Sequence, residues 1–200
     1  RGPEDAPTAD LTDHLKTTRG KFEKQEEITM TFLELAAARY SVRAYDDRPV
    51  EQEKLDAVLE AARLAPTACN NQPQKIYVVK SAEKRAALAE ICSCTFGAPI
   101  VMVVAFDNDL DWKNPLTPGY HSGEVDASIV CTHMMLEGWE QGLRSCWVRF
   151  LDAATVKKAL GLPENVTVSA LLPMGYAKEG AQPSPRHTMS REIADMVTEL

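Results

Sequence analysis

The chain has 200 residues, a formal net charge of -7, 44% hydrophobic and 26% charged residues. That length suits one domain with a substantial core, and the acidic balance argues against a duplex-binding protein, because such binding rests on Lys and Arg meeting phosphates. No apolar run approaches the roughly 18 residues of a membrane span, and five cysteines, with Cys92 and Cys94 too close to pair, argue against a disulfide scaffold and for a reducing cytoplasm.

Residues 1–29 are polar and charged, with too few apolar groups for a core of their own, and read as an arm or added segment; no charged-then-apolar leader opens them. Met30 is a candidate native start, and residues 30–200 are expected to form the folded domain. An apolar stretch at Phe32-Leu33-Glu34-Leu35 comes first, and then Arg39-Tyr40-Ser41-Val42-Arg43 sets two guanidiniums and a hydroxyl within five residues. Such a group suits an anion, and equally suits the negative end of a helix dipole. Glu51 to Ala65 carries Leu55, Val58, Leu59 and Ala62 at helical period until Pro66 stops it. Pro66-Thr67-Ala68-Cys69-Asn70-Asn71-Gln72-Pro73 is a polar loop running straight into the strand Ile76–Val79.

A helix is expected from a Ser81 cap to about Ile91, and a buried strand from Ile100 to Phe106. Asp107 to His121 is a long loop, of the length found in lids and binding segments. Glu124 to Gln141 forms a long helix with apolar residues on more than one face, suited to a central core position or to packing on a second subunit. A strand at Leu143 to Val148, a helix from Asp152 to Leu160 ended by Gly161, and a strand at Val166 to Leu172 follow. Pro173 to His187 reads as irregular and Ser190 to Leu200 as a terminal helix. Strands separated by helices give a layered α/β architecture. Neither G-x-G-x-x-G after a strand nor G-x-x-x-x-G-K-S/T is present, so a nucleotide-like ligand needs other devices.

Four segments, taken together and in order, resemble the FMN-dependent nitroreductase family. They are Arg39 to Arg43 against R-x-S-x-R, Pro66 to Pro73 against P-S/T-x-x-N-x-Q-P, Gly142-Leu143-Arg144-Ser145-Cys146-Trp147-Val148 against G-L-G-S/T-C-W-I/V, and Pro183 to His187 against a tail segment bearing Arg or Lys. The resemblance spans about residues 31–200. It implies a three-layer α-β-α sandwich around a mixed, mainly antiparallel sheet, and a homodimer with active sites at the subunit interface. It also implies bound FMN, NADH or NADPH as electron donor, and an electron-poor acceptor such as a nitroaromatic or quinone, by a ping-pong mechanism.

Carried over residue by residue, the resemblance gives Arg39 and Ser41 the phosphate, with Tyr40 beside them, and Arg43 the N1 and O2 edge of the flavin. Arg186 completes the phosphate clamp. Pro66, Thr67, Ala68, Asn70 and Gln72 bind the cofactor, Thr67 and Ala68 beside the ring or ribityl chain, often of a flavin bound mainly by the partner subunit. Trp147 and Val148 bring backbone amides near flavin N5, and Arg149, where many relatives have Gly, narrows the pocket or favours anionic substrates. Arg144 also departs from a common Gly. The flavin carries the redox chemistry, so no protein group is expected to be catalytic.

Two alternatives stay open: a specialised flavin enzyme such as a dehalogenase or metabolite dehydrogenase, and a flavin-binding module without turnover. Cys92 and Cys94 lack a second ligand pair and are expected to be buried thiols rather than a metal site; His121 and His133 lack an H-E-x-x-H arrangement. Cys69 lacks an assignable base for nucleophilic catalysis.

Overall fold

Eight consecutive buried residues, Ile100–Asp107, form the strand β2 at the centre of the molecule's sheet. A run buried on both faces needs helices on both sides, because every second side chain of a strand points to the opposite face. The computed structural model describes residues 30–200, and its contacts divide the chain between Thr31 and Phe32. The expected arm at 1–29 lies outside the described residues.

The helices are α1 (Phe32–Ala38), α2 (Gln52–Leu64), α3 (Ala82–Ile91), α4 (Gly123–Glu140) and α5 (Ala153–Leu160). The other strands are β1 (Gln74–Val79), β3 (Arg144–Ser145) and β4 (Val166–Gly175). The sheet runs β1-β2-β4-β3 and each of these pairings is antiparallel. Ile100, Met102, Val104 and Phe106 of β2 face one way, packing with Ala170, Leu172 and Met174 of β4 against Leu55 and Val58 of α2 and Val130 and Met134 of α4. Val101 and Val103 face the other way, with Val168 and Leu171, against Leu88 of α3 and Val156 of α5. Helices thus cover both faces of a central sheet, as the nitroreductase-like α+β expectation requires.

One irregularity places a polar group. Val104 pairs with Ala170 but Ala105 with Val168, so Ser169 is an extra residue in β4, a bulge that resets the alternation and leaves its polar groups unused by the ladder.

Several sequence expectations shift at their edges. The strand expected at Leu143 to Val148 pairs as a ladder only at Arg144–Ser145, with one further bridge from Val148 to Leu171; it is the sheet's edge, held from one side only. The strand expected to stop at Leu172 continues to Gly175 through Pro173, whose carbonyl accepts from Cys146 N at 3.3 Å. The terminal helix expected at Ser190 to Leu200 is not formed, and only a 3-10 turn at Ile193–Asp195 interrupts that segment. All of residues 188–200 are exposed, and an 11-residue stretch with no surface to pack on does not offset the cost of helix nucleation.

Candidate functional site

The Arg39–Arg43 segment leaves α1 and runs alongside the end of the sheet. Val42 N donates to Ser145 O at 3.0 Å, and Tyr45 bridges to Ala177. The Tyr45 hydroxyl donates to Val42 O at 2.9 Å and to Pro173 O at 3.1 Å. Val42 and Tyr45 are buried, 1% and 8% exposed, and they hold the segment while Arg43 between them is exposed and Arg39, Tyr40 and Ser41 before them are half-buried. Arg39, Tyr40, Ser41 and Arg43 then line a cleft of about 320 Å³ with Ser184, Arg186 and His187. Three arginines from two distant stretches thus line one cavity, and among the described residues no carboxylate lines it.

Behind this cleft lies Cys146. Burial pushes its thiol up from the ordinary value, outweighing Arg43 and the Ser41 hydroxyl, which pull it down. A protonated, buried thiol is a wall and not a nucleophile.

The Pro66–Pro73 loop is built elsewhere in the protomer. Gln72 N donates to the Thr67 hydroxyl at 3.0 Å, and Asn70 N to Thr67 O at 3.0 Å. Cys69, Asn70 and Gln72 have φ of 52°, 54° and 50°, left-handed conformations that cost non-glycine residues about 1 kcal/mol each and persist where surrounding contacts impose them. The contact that imposes them here is Asp126 of α4. Its carboxylate, 2% exposed, accepts from Ala68 N at 2.9 Å and from the Ser122 hydroxyl at 2.6 Å. Ser122 in turn pairs with Trp112 N and O, which ties the Asp107–His121 loop to the same point. Within that loop the His121 ring meets the Asp111 carboxylate at 2.5 Å.

A second, larger cleft of about 600 Å³ runs along α4, lined by Glu124, Val125, Ser128, Ile129, Thr132, Trp147 and Arg149. Arg149 donates to Glu124 at 2.7 Å and to the Ser169 hydroxyl at 3.0 Å, and also contacts Ser169 O, so the bulge in β4 supplies its acceptors. Its charge is paired with Glu124 in an ion pair that is exposed on both sides. Trp147 is 37% exposed in this cleft, and Val148 is buried behind it. Arg144 turns away: its guanidinium stacks 3.7 Å from the Trp139 ring centroid.

The structure thus gathers Arg39, Tyr40, Ser41, Arg43 and Arg186 in one cleft, places Trp147 and Arg149 in another, and keeps Pro66, Thr67, Ala68, Asn70 and Gln72 on a loop fastened to α4. Sequence reasoning missed Asp126, Glu124, Ser169 and His187. An acidic residue in a helix's first turn is commonplace, so Asp126 and Glu124 carried no signal.

The description of the nitroreductase family matches residues 36–96 and 92–176 of this chain. The chain belongs to the nitroreductase family. A nitroreductase family protein from Clostridium difficile 630 superposes with a TM-score of 0.79 at 37% identity, over 84% of this chain and 98% of that one. An FMN-dependent nitroreductase from Clostridium difficile R20291 does so at 0.65 and 27% identity, over 80% and 98%. Among curated relatives, the FMN reductase (NAD(P)H) of Bacillus subtilis is 31% identical over 163 residues, 73% of this chain and 66% of the relative. The nitroreductase family match runs through the first three motifs and stops short of Arg186 and His187, which join the cleft by tertiary structure.

Proposed function

We propose that this nitroreductase-family protein is an FMN-dependent oxidoreductase that takes electrons from NAD(P)H and passes them to an electron-poor acceptor, a nitroaromatic or a quinone. The observation that carries the reading is the cleft in which Arg39, Arg43 and Arg186 converge on Ser41 without a neutralising carboxylate. That donor set fits a phosphate monoester dianion, the tail of FMN, because charge-assisted and forked guanidinium contacts are the strong ones. The names of the Bacillus subtilis and Clostridium difficile R20291 relatives point to the same cofactor.

When bound, FMN supplies hydride acceptance from NAD(P)H and its return to a second substrate. The chain's own residues bind and orient. Arg39, Ser41 and Arg186 neutralise the phosphate, and Arg43 is placed beside them, its guanidinium donating to Ser41 O at 3.1 Å. The Thr67–Gln72 loop is held in shape by Asp126 through Ala68 N and by its own hydrogen bonds, so little ordering remains for the ligand to impose. Trp147, Val125 and Ile129 give the cleft along α4 an apolar wall. None of these residues needs to act as an acid or base.

The working unit in this reading is a homodimer. The arginine cleft and the Thr67 loop lie apart in one protomer, and a second copy supplies the missing half. Apolar groups stand ready for it: Phe32 and Leu33 are 68% and 77% exposed, and Val125 is 48% exposed.

The test is a spectrum. Purified protein is expected to be yellow, to bleach on adding NADH or NADPH under nitrogen, and to recover colour when a nitroaromatic or quinone follows. Bound flavin that never bleaches would reduce the protein to a binding module. Arg39→Ala and Arg186→Ala are each expected to lower flavin content after purification at least tenfold, about the worth of one hydrogen bond to a charged group; full retention by both removes the clamp.

A further inference from the structure

His187 lines the arginine cleft, yet the resemblance gives a role only to its neighbour Arg186 in the tail segment. Its ring tilts against Tyr40 with centroids 5.8 Å apart and planes at 59°. Tyr40 meets the edge of Trp139 at 5.4 Å and 68°. The Arg144 guanidinium lies 3.7 Å from the Trp139 centroid. Four side chains from three stretches of the chain thus stack in succession, and His187 borders the cavity lined by Arg39, Ser41, Arg43 and Arg186.

The backbone around His187 is pinned to the same stack. His187 N donates to Ser184 O at 2.8 Å, and the Tyr40 hydroxyl donates to Ala181 O at 3.4 Å. Edge and tilted ring contacts favour particular orientations, so the stack restricts the imidazole plane as well as its position. Among the described residues, no hydrogen bond or ion pair engages the imidazole nitrogens of His187, although Asp111 engages His121 and Ile129 O engages His133. An imidazole always carries at least one N–H donor, whichever form it takes. A phosphate monoester presents three terminal oxygens, enough acceptors for a donor beyond the arginines.

We propose that His187 contacts the phosphorylated ligand directly, as a fourth donor beside Arg39, Ser41 and Arg186, and that Tyr40, Trp139 and Arg144 are positioning residues that fix its ring. The proposal rests on the flavin reading of this cleft. It also assigns a purpose to Arg144, which stands where relatives commonly have Gly: a guanidinium cap on Trp139 that extends the stack. The bland reading is that His187 only packs on Tyr40, and the two differ in what a phenyl ring does at this position.

The full-length chain freed of flavin is titrated with FMN, and separately with riboflavin, which lacks the phosphate; quenching of flavin fluorescence reads the dissociation constant. His187→Phe keeps a ring against Tyr40 but has no donor, and is expected to weaken FMN about tenfold while leaving riboflavin unchanged. His187→Gln, which keeps an N–H donor, is expected to stay within about threefold of wild type. Trp139→Leu is expected to weaken FMN by an intermediate factor with riboflavin again unchanged. FMN affinity unaltered in His187→Phe, or FMN and riboflavin weakened equally, overturns the proposal. If Arg39→Ala weakens FMN but His187→Phe does not, the inference fails alone; if wild type binds neither flavin, the flavin reading fails with it.

Discussion

Asp126 shows how a single buried charge organises a polar loop. Its two oxygens take one donor from the loop, Ala68 N, and one from the start of its own helix, the Ser122 hydroxyl. Truncation leaves a buried N–H without an acceptor, a loss of about 1–3 kcal/mol. Asp126→Ala is therefore expected to lower unfolding free energy by about 2 kcal/mol in urea titrations, and Asp126→Asn, which keeps one carbonyl oxygen, by less than half of that. The same scale explains Arg149. Read alone it is a cation beside a substrate pocket; read with Glu124 and the bulged Ser169 it is a tie between α4 and β4, its charge already answered. No feature local to residues 147–149 reveals a partner 25 positions away.

At the scale of elements, α4 decides how closely the helical layer approaches the sheet, and two glycines let it do so. A Cβ on Gly123 would stand 2.2 Å from the Phe106 ring, which is 1% exposed and enclosed in the core. A Cβ on Gly138 would stand 2.6 Å from the Met174 Cε. A thioether end repacks where an enclosed ring does not. Gly123→Ala is expected to cost about 2–3 kcal/mol and Gly138→Ala under about 1 kcal/mol, the order being read from paired denaturation midpoints. The periodicity of α4 was legible because apolar residues cover more than one face, and the helix runs one residue earlier than expected at each end. The terminal helix was not legible as absent: a short amphipathic pattern says nothing about whether a surface exists to receive it.

At the scale of the whole molecule, burial sets the response to pH. The Cys131 thiol, 1% exposed on α4, is pushed up from its ordinary 9.0 to about 12 by loss of solvation. The unfolded chain surrenders that proton first. The neutral thiol's contribution to stability is thus complete below pH 9 and is lost as pH rises from 9 toward 12, at up to about 1.4 kcal/mol per unit. Cys131→Ala is expected to flatten the decline between pH 9.5 and 10.5 in urea unfolding. Assembly belongs to this scale as well. Sedimentation is expected to give twice the 22.1 kDa chain mass, and Val125→Glu, which charges the exposed face of α4, is expected to lower dimer fraction and flavin content together. A Val125→Glu monomer that keeps its full flavin would separate the two. The sequence by itself determined the helices and strands from α1 to β4, because periodicity is a property of contiguous residues; clustered charge made Arg39 and Arg43 conspicuous, and Arg186 stood out only through the resemblance of its segment. It determined nothing of His187's place beside them, the Asp126 tether or the Glu124–Arg149–Ser169 tie. Those depend on side chains that are tens of residues apart and meet only when the sheet is covered on both faces, so only the tertiary structure decided them.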